Sequence, residues 1–193
     1  WWQQANGEAI AGHYTGSKPE FYPAIIVSWQ EFKAAHPEGS VLSRETGFGR
    51  AYGQNPYAGY DDVNNSPFLY DGPQTPSVLP AVARVLTVDL NDEAVAYPYD
   101  ILEDLRVVND TVGSQPVVVF WAAGTASALD ANSVASGRDV GAAAAYSRIV
   151  DGLELSFQLI GEKITDQETG SEWNVLGQAV AGRLTGKQLL PVV

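Results

Sequence analysis

Short apolar runs alternate with turn residues along this chain, and no stretch sustains a long helical stripe. Ala9 to Tyr14, Ala24 to Val27, Val41 to Ser43, Val85 to Leu90, Ala94 to Tyr97, Val107 to Asn109, Pro116 to Trp121, Ala144 to Ile149, Leu153 to Ile160 and Gln178 to Leu184 are β-branched or alternating and bounded by Gly, Asn or Asp. That is the pattern of strands. Asn91-Asp92, Gly113-Ser114 and Asp151-Gly152 fall between such runs and predict tight hairpins. Asp-Gly is the strongest of the three signals, because both central positions of the favoured turn need positive φ.

Helix signals occur twice. Ser28 opens SWQEFKAAHPEG with Glu31 three residues on, a capping box that puts Trp29 and Phe32 on one face and ends at Pro37 and Gly39. This helix is expected to cover a sheet. The second runs from Pro98 to Leu105, with proline in the first turn and Ile101, Leu102 and Leu105 on one side. Between them, residues 47 to 80 are rich in Gly and Pro yet carry Tyr52, Tyr57, Tyr60, Phe68 and Tyr70. So much aromatic mass predicts an ordered loop packed down on the body, since disordered segments lack it. The expected fold is α+β and predominantly β: antiparallel sheets, barrel- or sandwich-like, with two short covering helices and a long aromatic loop, all in one compact domain spanning residues 1–193.

One pattern is used at both ends. GEAIAGHYTG from Gly7 to Gly16 returns as GQAVAGRLTG from Gly177 to Gly186, with six of ten residues identical and Trp2 and Trp173 preceding the copies. A repeat of this period predicts one full unit of an internal duplication plus the tail of a preceding unit. The two strands, Glu8 to Thr15 and Gln178 to Thr185, are expected in equivalent places.

Charge narrows the partners. Eleven basic and 23 acidic side chains give a formal net charge of −12, which repels nucleic acid and anionic membranes. No apolar run reaches the ~20 residues of a membrane-spanning helix. With no cysteine, thiolate metal sites, disulfides and a cysteine nucleophile are excluded for these residues. An acidic, lysine-poor surface rich in Gln, Asn, Tyr and Trp suits an extracellular setting.

Candidate chemistry is sparse. His13 and His36, the only histidines, lie in different elements and share no metal-ligand spacing. Asp61, Asp62 and Asn64 in GYDDVNNSP are closely spaced oxygen ligands of the type calcium uses, although they lack the EF-hand spacing and equally suit Asx-turns. Glu45 and Glu168, each in Glu-Thr-Gly, are the acid and base pair to examine for hydrolysis. Ser127 in GTASALD lacks the nucleophile-elbow pattern, and GFGRAYG from Gly47 to Gly53 opens no helix and so is no phosphate loop. Arg50, Tyr52, Asn55, Tyr57 and Tyr60 remain as candidate binding residues, with rings able to stack on a sugar or partner surface.

The stretches WWQQANGEAIAGHYTG, SWQEFKAAHPEGSVLSRETGFGRAYGQNPYAGYDD, AYPYDILEDLRVVNDTVGSQPVVVFW, GTASALD and ETGSEWNVLGQAVAGRLTG resemble the domain-of-unknown-function 3179 family almost end to end. The resemblance implies duplicated units and an envelope or secreted location. It also implies a Cys-Pro-Leu-Cys-Gly-Thr signature in one unit, where this chain has Phe120, Trp121, Ala122, Ala123, Gly124 and Thr125. Three readings follow: a non-catalytic exported or cell-surface domain with a structural or partner-binding role; an enzyme or metal and redox module whose cysteine-bearing half lies upstream; or a polymer subunit in which Trp1 to Ala24 completes a neighbour's sheet.

Overall fold

The computed structural model describes residues 1–2, 7–20, 22–73 and 78–192. Helix α1 (Trp29–Ala35) is followed by strands β1 (Val85–Leu90) and β2 (Glu93–Pro98), helix α2 (Tyr99–Leu105), and strands β3 (Val107–Val112), β4 (Gln115–Ala122) and β5 (Ala142–Ser147). The last third holds β6 (Ile149–Val150), β7 (Leu153–Glu154), β8 (Phe157–Ile160), β9 (Lys163–Asp166), β10 (Glu172–Trp173) and β11 (Ala179–Ala181). Strands β3-β4-β5 form one antiparallel sheet, β8-β9-β10-β11 a second, and β1-β2 and β6-β7 are hairpins. The fold is α+β and dominated by β, and its sheets stack without closing into a barrel.

Strand β4 is the centre. Val117, Val119 and Trp121 face one apolar cluster with Val88, Tyr97 and Leu102, while Val118 and Phe120 face another with Tyr146, Phe157 and Trp173. Burial on both faces explains why this strand reads as an unbroken apolar run instead of an alternation. The rings of Phe120 and Phe157 meet edge to face at 5.1 Å, and those of Phe157 and Trp173 at 5.7 Å. A polar clasp joins the two sheets beside this cluster: the Asn109 side chain donates to Phe157 O at 2.7 Å and accepts from Phe157 N at 2.8 Å. The C-terminal stretch covers the outer edge of β5, with Ser147 N donating to Leu190 O and Val192 N to Ala145 O.

All three anticipated hairpins form, with positive φ at Asn91 and Asp92, at Gly113 and Ser114, and at Asp151 and Gly152. The capping box at Ser28 also forms, the serine hydroxyl accepting from Glu31 N while the glutamate accepts from Ser28 N. Several expectations fail for identifiable reasons. Ala24 to Val27 and Val41 to Ser43 are not strands. Ile25 and Val27 do pack on the core, but the backbone there joins no ladder. Helix α1 buries no residue. Trp29 stacks on Phe32 at 5.6 Å and the pair stays with its own helix, so α1 is no cover. In α2 only Leu102 is buried, since seven residues present one side chain squarely to the sheet.

The repeated decapeptide is not a long strand in either copy. Gly12 and Gly182 both take positive φ and turn the chain after two or three extended residues. Their surroundings differ: a Cβ on Gly182 comes within 2.7 Å of Ser171 Cα, whereas one on Gly12 meets nothing nearer than 4.0 Å. Gly12→Ala is expected to cost about 1–2 kcal/mol through backbone strain alone. Gly182→Ala adds a backbone clash, and should exceed Gly12→Ala by at least about 1 kcal/mol in denaturant unfolding.

Two tyrosines are tied into the core by their hydroxyls. Tyr97 donates to Asp110 Oδ2 at 2.8 Å and Tyr146 to Val175 O at 2.9 Å, and burial pushes both phenols far above the ordinary tyrosine range. A folded pKa raised above the unfolded one contributes stability that is complete below about pH 10 and is lost as pH climbs toward the folded value. In an alkaline titration followed by phenolate absorbance, Tyr97 and Tyr146 should therefore stay silent until the fold gives way.

Candidate functional site

The aromatic loop is pinned to the segment that follows β4. Backbone bonds run from Asn55 N to Asn132 O at 2.8 Å, Gly59 N to Asp130 O at 2.7 Å and Val134 N to Gly53 O at 3.0 Å. At the end of this seam, Asp61 enters a charged cluster with its side chain only 10% exposed. Ser127 Oγ donates to its Oδ2 at 2.5 Å. Arg138 binds both carboxylate oxygens, at 3.1 and 3.0 Å, and its Nη2 also donates to Asp61 O at 3.0 Å. Arg84 stands 3.8 Å away.

Arg138 is the hub. It also donates to Asp130 Oδ1 at 2.7 Å, and its backbone N–H reaches Asp130 Oδ2. That backbone bond, reinforced by the guanidinium, holds the Asp130 carboxyl below the usual carboxylate range. Burial opposes the Arg138 charge, but its bonds to Asp130 and Asp61 outweigh that and raise its pKa further. Next door, Asp139 accepts from the backbone N–H groups of Gly124, Thr125 and Gly141, closing the loop where β4 ends. A cleft of about 410 Å³ opens here among Asp61, Arg84, Tyr99, Glu103 and Arg138. Arg84 lies 5.6 Å from the Tyr99 ring, whose phenol is raised by burial.

The candidate binding residues separate into two kinds. Asn55 is buried and structural: its side chain donates to Ala131 O at 3.0 Å and accepts from Tyr57 N at 2.8 Å. Arg50 lies on the surface with its guanidinium 6.0 Å from the Phe48 ring, and the Tyr52 hydroxyl is bonded to Thr46 Oγ1 at 2.6 Å. Tyr57 and Tyr60 come together, their rings 6.2 Å apart, and Phe68 joins Tyr60 at 6.4 Å. The aromatic mass of the loop predicts that it packs down on the body. Instead Tyr57, Tyr60 and Phe68 are 59%, 42% and 64% exposed; backbone bonds and the Asp61 cluster order the loop, leaving the rings free to face outward. They frame a second cleft of about 500 Å³ with Asn65 and Ser66.

Asp61, Asp62 and Asn64 are not assembled as one ligand set. The Asp61 carboxylate turns inward to Ser127 and Arg138. Asp62 turns to Asn64, accepting from its backbone N and its Nδ2 at 2.9 Å each, and the backbone bond first and the amide second lower its pKa. No group of three or more His, Asp or Glu side chains poised to hold a metal occurs among the described residues. Of the acid and base pair, Glu168 accepts from Ser156 N at 2.8 Å as a turn brace. Ser127 is buried and its partners are Asp61 and Leu129 N; His13 contacts Tyr14 and His36 contacts Phe32, so no imidazole serves it.

Sequence reasoning missed Arg138, Asp130 and Arg84. The available signal was GTASALD, whose Ser127 and Asp130 are the two residues that meet Asp61 and Arg138. The family model for DUF3179, described as a protein of unknown function, matches residues 1–193. The chain belongs to the DUF3179 family. No curated protein and no solved structure matches it. In this DUF3179 member the stretch that stands where the other unit's cysteine signature would align is a strand end: Phe120 and Trp121 fill the core and Gly124 and Thr125 are captured by Asp139.

Proposed function

We propose that this chain is a non-catalytic, exported or cell-surface binding domain whose recognition face is the cleft of Tyr57, Tyr60 and Phe68, and that its ligand is a neutral glycan. The observation that carries this reading is the division of labour in the loop. Asp61 is turned inward to Ser127 and Arg138, which ties the loop to the segment after β4, and the large rings are left outward on that support. Exposed aromatic faces bordered by an amide and a hydroxyl stack on sugar rings and bond their hydroxyls. A cleft of about 500 Å³ is of small-ligand size. The net charge of −12 disfavours anionic polymers. An acidic, lysine-poor surface supports the extracellular placement.

Affinity electrophoresis through gels containing dextran, xylan or glucomannan tests it. At least one should retard the native chain, and Tyr57→Ala combined with Tyr60→Ala and Phe68→Ala should weaken the retardation at least about tenfold. Because the rings are exposed, that variant should lose no more than about 1–2 kcal/mol of stability. Unretarded migration in every gel, or retardation that survives the triple substitution, refutes the reading.

A further inference from the structure

In the cleft beside the Asp61 cluster, Arg84 is held in place with its donors open. Its Nη2 stands 3.8 Å from Asp61 Oδ2, beyond hydrogen-bond reach. That carboxylate is already engaged: Oδ2 accepts from Ser127 Oγ and Arg138 Nη2, and Oδ1 from Arg138 Nη1. The Arg84 guanidinium makes no hydrogen bond among the described residues, and its side chain is 33% exposed. Its position is nevertheless set by the Tyr99 ring, whose centroid lies 5.6 Å from the guanidinium carbon. A guanidinium is a planar fork matched to a carboxylate. Here the fork is oriented and has nothing to grip.

The same cleft holds an unengaged anion. Of its carboxylates, Asp61 is bound as above, Asp139 accepts from the backbone N–H groups of Gly124, Thr125 and Gly141, and Asp100 accepts from Ile101 N. Glu103 lies one turn further along α2, exposed, with no hydrogen bond or ion pair among the described residues. Arg84 and Glu103 line one cleft without pairing with each other. The rest of the lining is largely apolar, Val63, Val82 and Val140 among it.

An anion that reached Arg84 would meet Glu103 and the field of a chain of net charge −12. A cation that reached Glu103 would meet Arg84 and Arg138. A molecule that carries both charges and is neutral overall satisfies both side chains. We propose that this cleft binds a small amino acid as its zwitterion, with the carboxylate on the Arg84 fork, the ammonium on Glu103 and the aliphatic carbons along Val82 and Val140. A cleft of about 410 Å³ is of the right size for such a ligand. It shares no lining residue with the cleft of Tyr57, Tyr60 and Phe68, so glycan binding and amino-acid binding are separately testable.

The full chain is titrated with leucine and with δ-aminovalerate, which differ in the spacing of their charges, and followed by NMR of the Arg84 Nε–H and Val140 N–H groups. At least one should give saturable shifts at millimolar concentration. Its N-acetyl derivative, which lacks the ammonium, and its amide, which lacks the carboxylate, should each bind at least about tenfold more weakly. Arg84→Gln and Glu103→Gln, read at the Val140 amide, should each weaken the parent amino acid by a similar factor. The comparison of derivatives uses the unaltered chain and so holds even where a variant fails to fold. No saturable shift with either amino acid, a blocked derivative that binds as tightly as its parent, or folded variants with unchanged affinity overturns the proposal.

Discussion

Asp166→Ala should lower stability by about 3–5 kcal/mol and the midpoint of thermal unfolding by about 10 °C. Asp166 is fully buried and its carboxylate gathers four donors: Thr169 N at 2.6 Å, Thr169 Oγ1 at 2.9 Å, Ser171 N at 3.1 Å and Trp173 Nε1 at 2.9 Å. Truncation strands those donors away from water, and the cost of unsatisfied buried groups exceeds the net worth of the bonds. Asp166→Asn keeps one oxygen but turns an amide N–H₂ toward donors, and should fall between the two. Urea unfolding at constant m-value measures the effect. A loss below about 1 kcal/mol would mean that the corner is held by something other than this carboxylate.

Phe120→Ala is expected to cost about 3–5 kcal/mol, with Phe120→Leu costing about 1–1.5 kcal/mol. The ring is fully buried and lies against Tyr146 at 5.7 Å as well as Phe157 at 5.1 Å. It belongs to the cluster that β4 shares with the four-stranded sheet, so alanine leaves a cavity between two sheets that cannot both collapse inward. A normal unfolding slope with a lowered midpoint is the expected signature. A loss below about 1.5 kcal/mol for the alanine variant would contradict the packing described.

The central hairpins were legible because their turns are local chemistry: Asn91-Asp92, Gly113-Ser114 and Asp151-Gly152 favour positive φ whatever surrounds them. The capping box at Ser28 was legible for the same reason. What failed was tertiary. Val41 and Leu42 have strand-like side chains but no partner strand, and remain exposed. Lys163–Asp166, a true strand, went unread because its polar ends mask a short apolar stretch. At the candidate site, Tyr57 and Tyr60 were found from composition, but Arg138 was not, since nothing in its neighbourhood announces that Asp61, 77 positions earlier, will accept from it. Asn55 was misjudged as a binding residue because a buried amide and a displayed one look alike in a sequence.

The Asn109 clasp has a mechanical consequence. An amide side chain that offers Phe157 both a donor and an acceptor works as a one-residue length of strand, so it rivets the two sheets beside their shared aromatic cluster. Shear between them has to break both bonds at once. A chain pulled from its ends should therefore surrender these layers in one rupture event, and Asn109→Ala should divide that event into two at lower force.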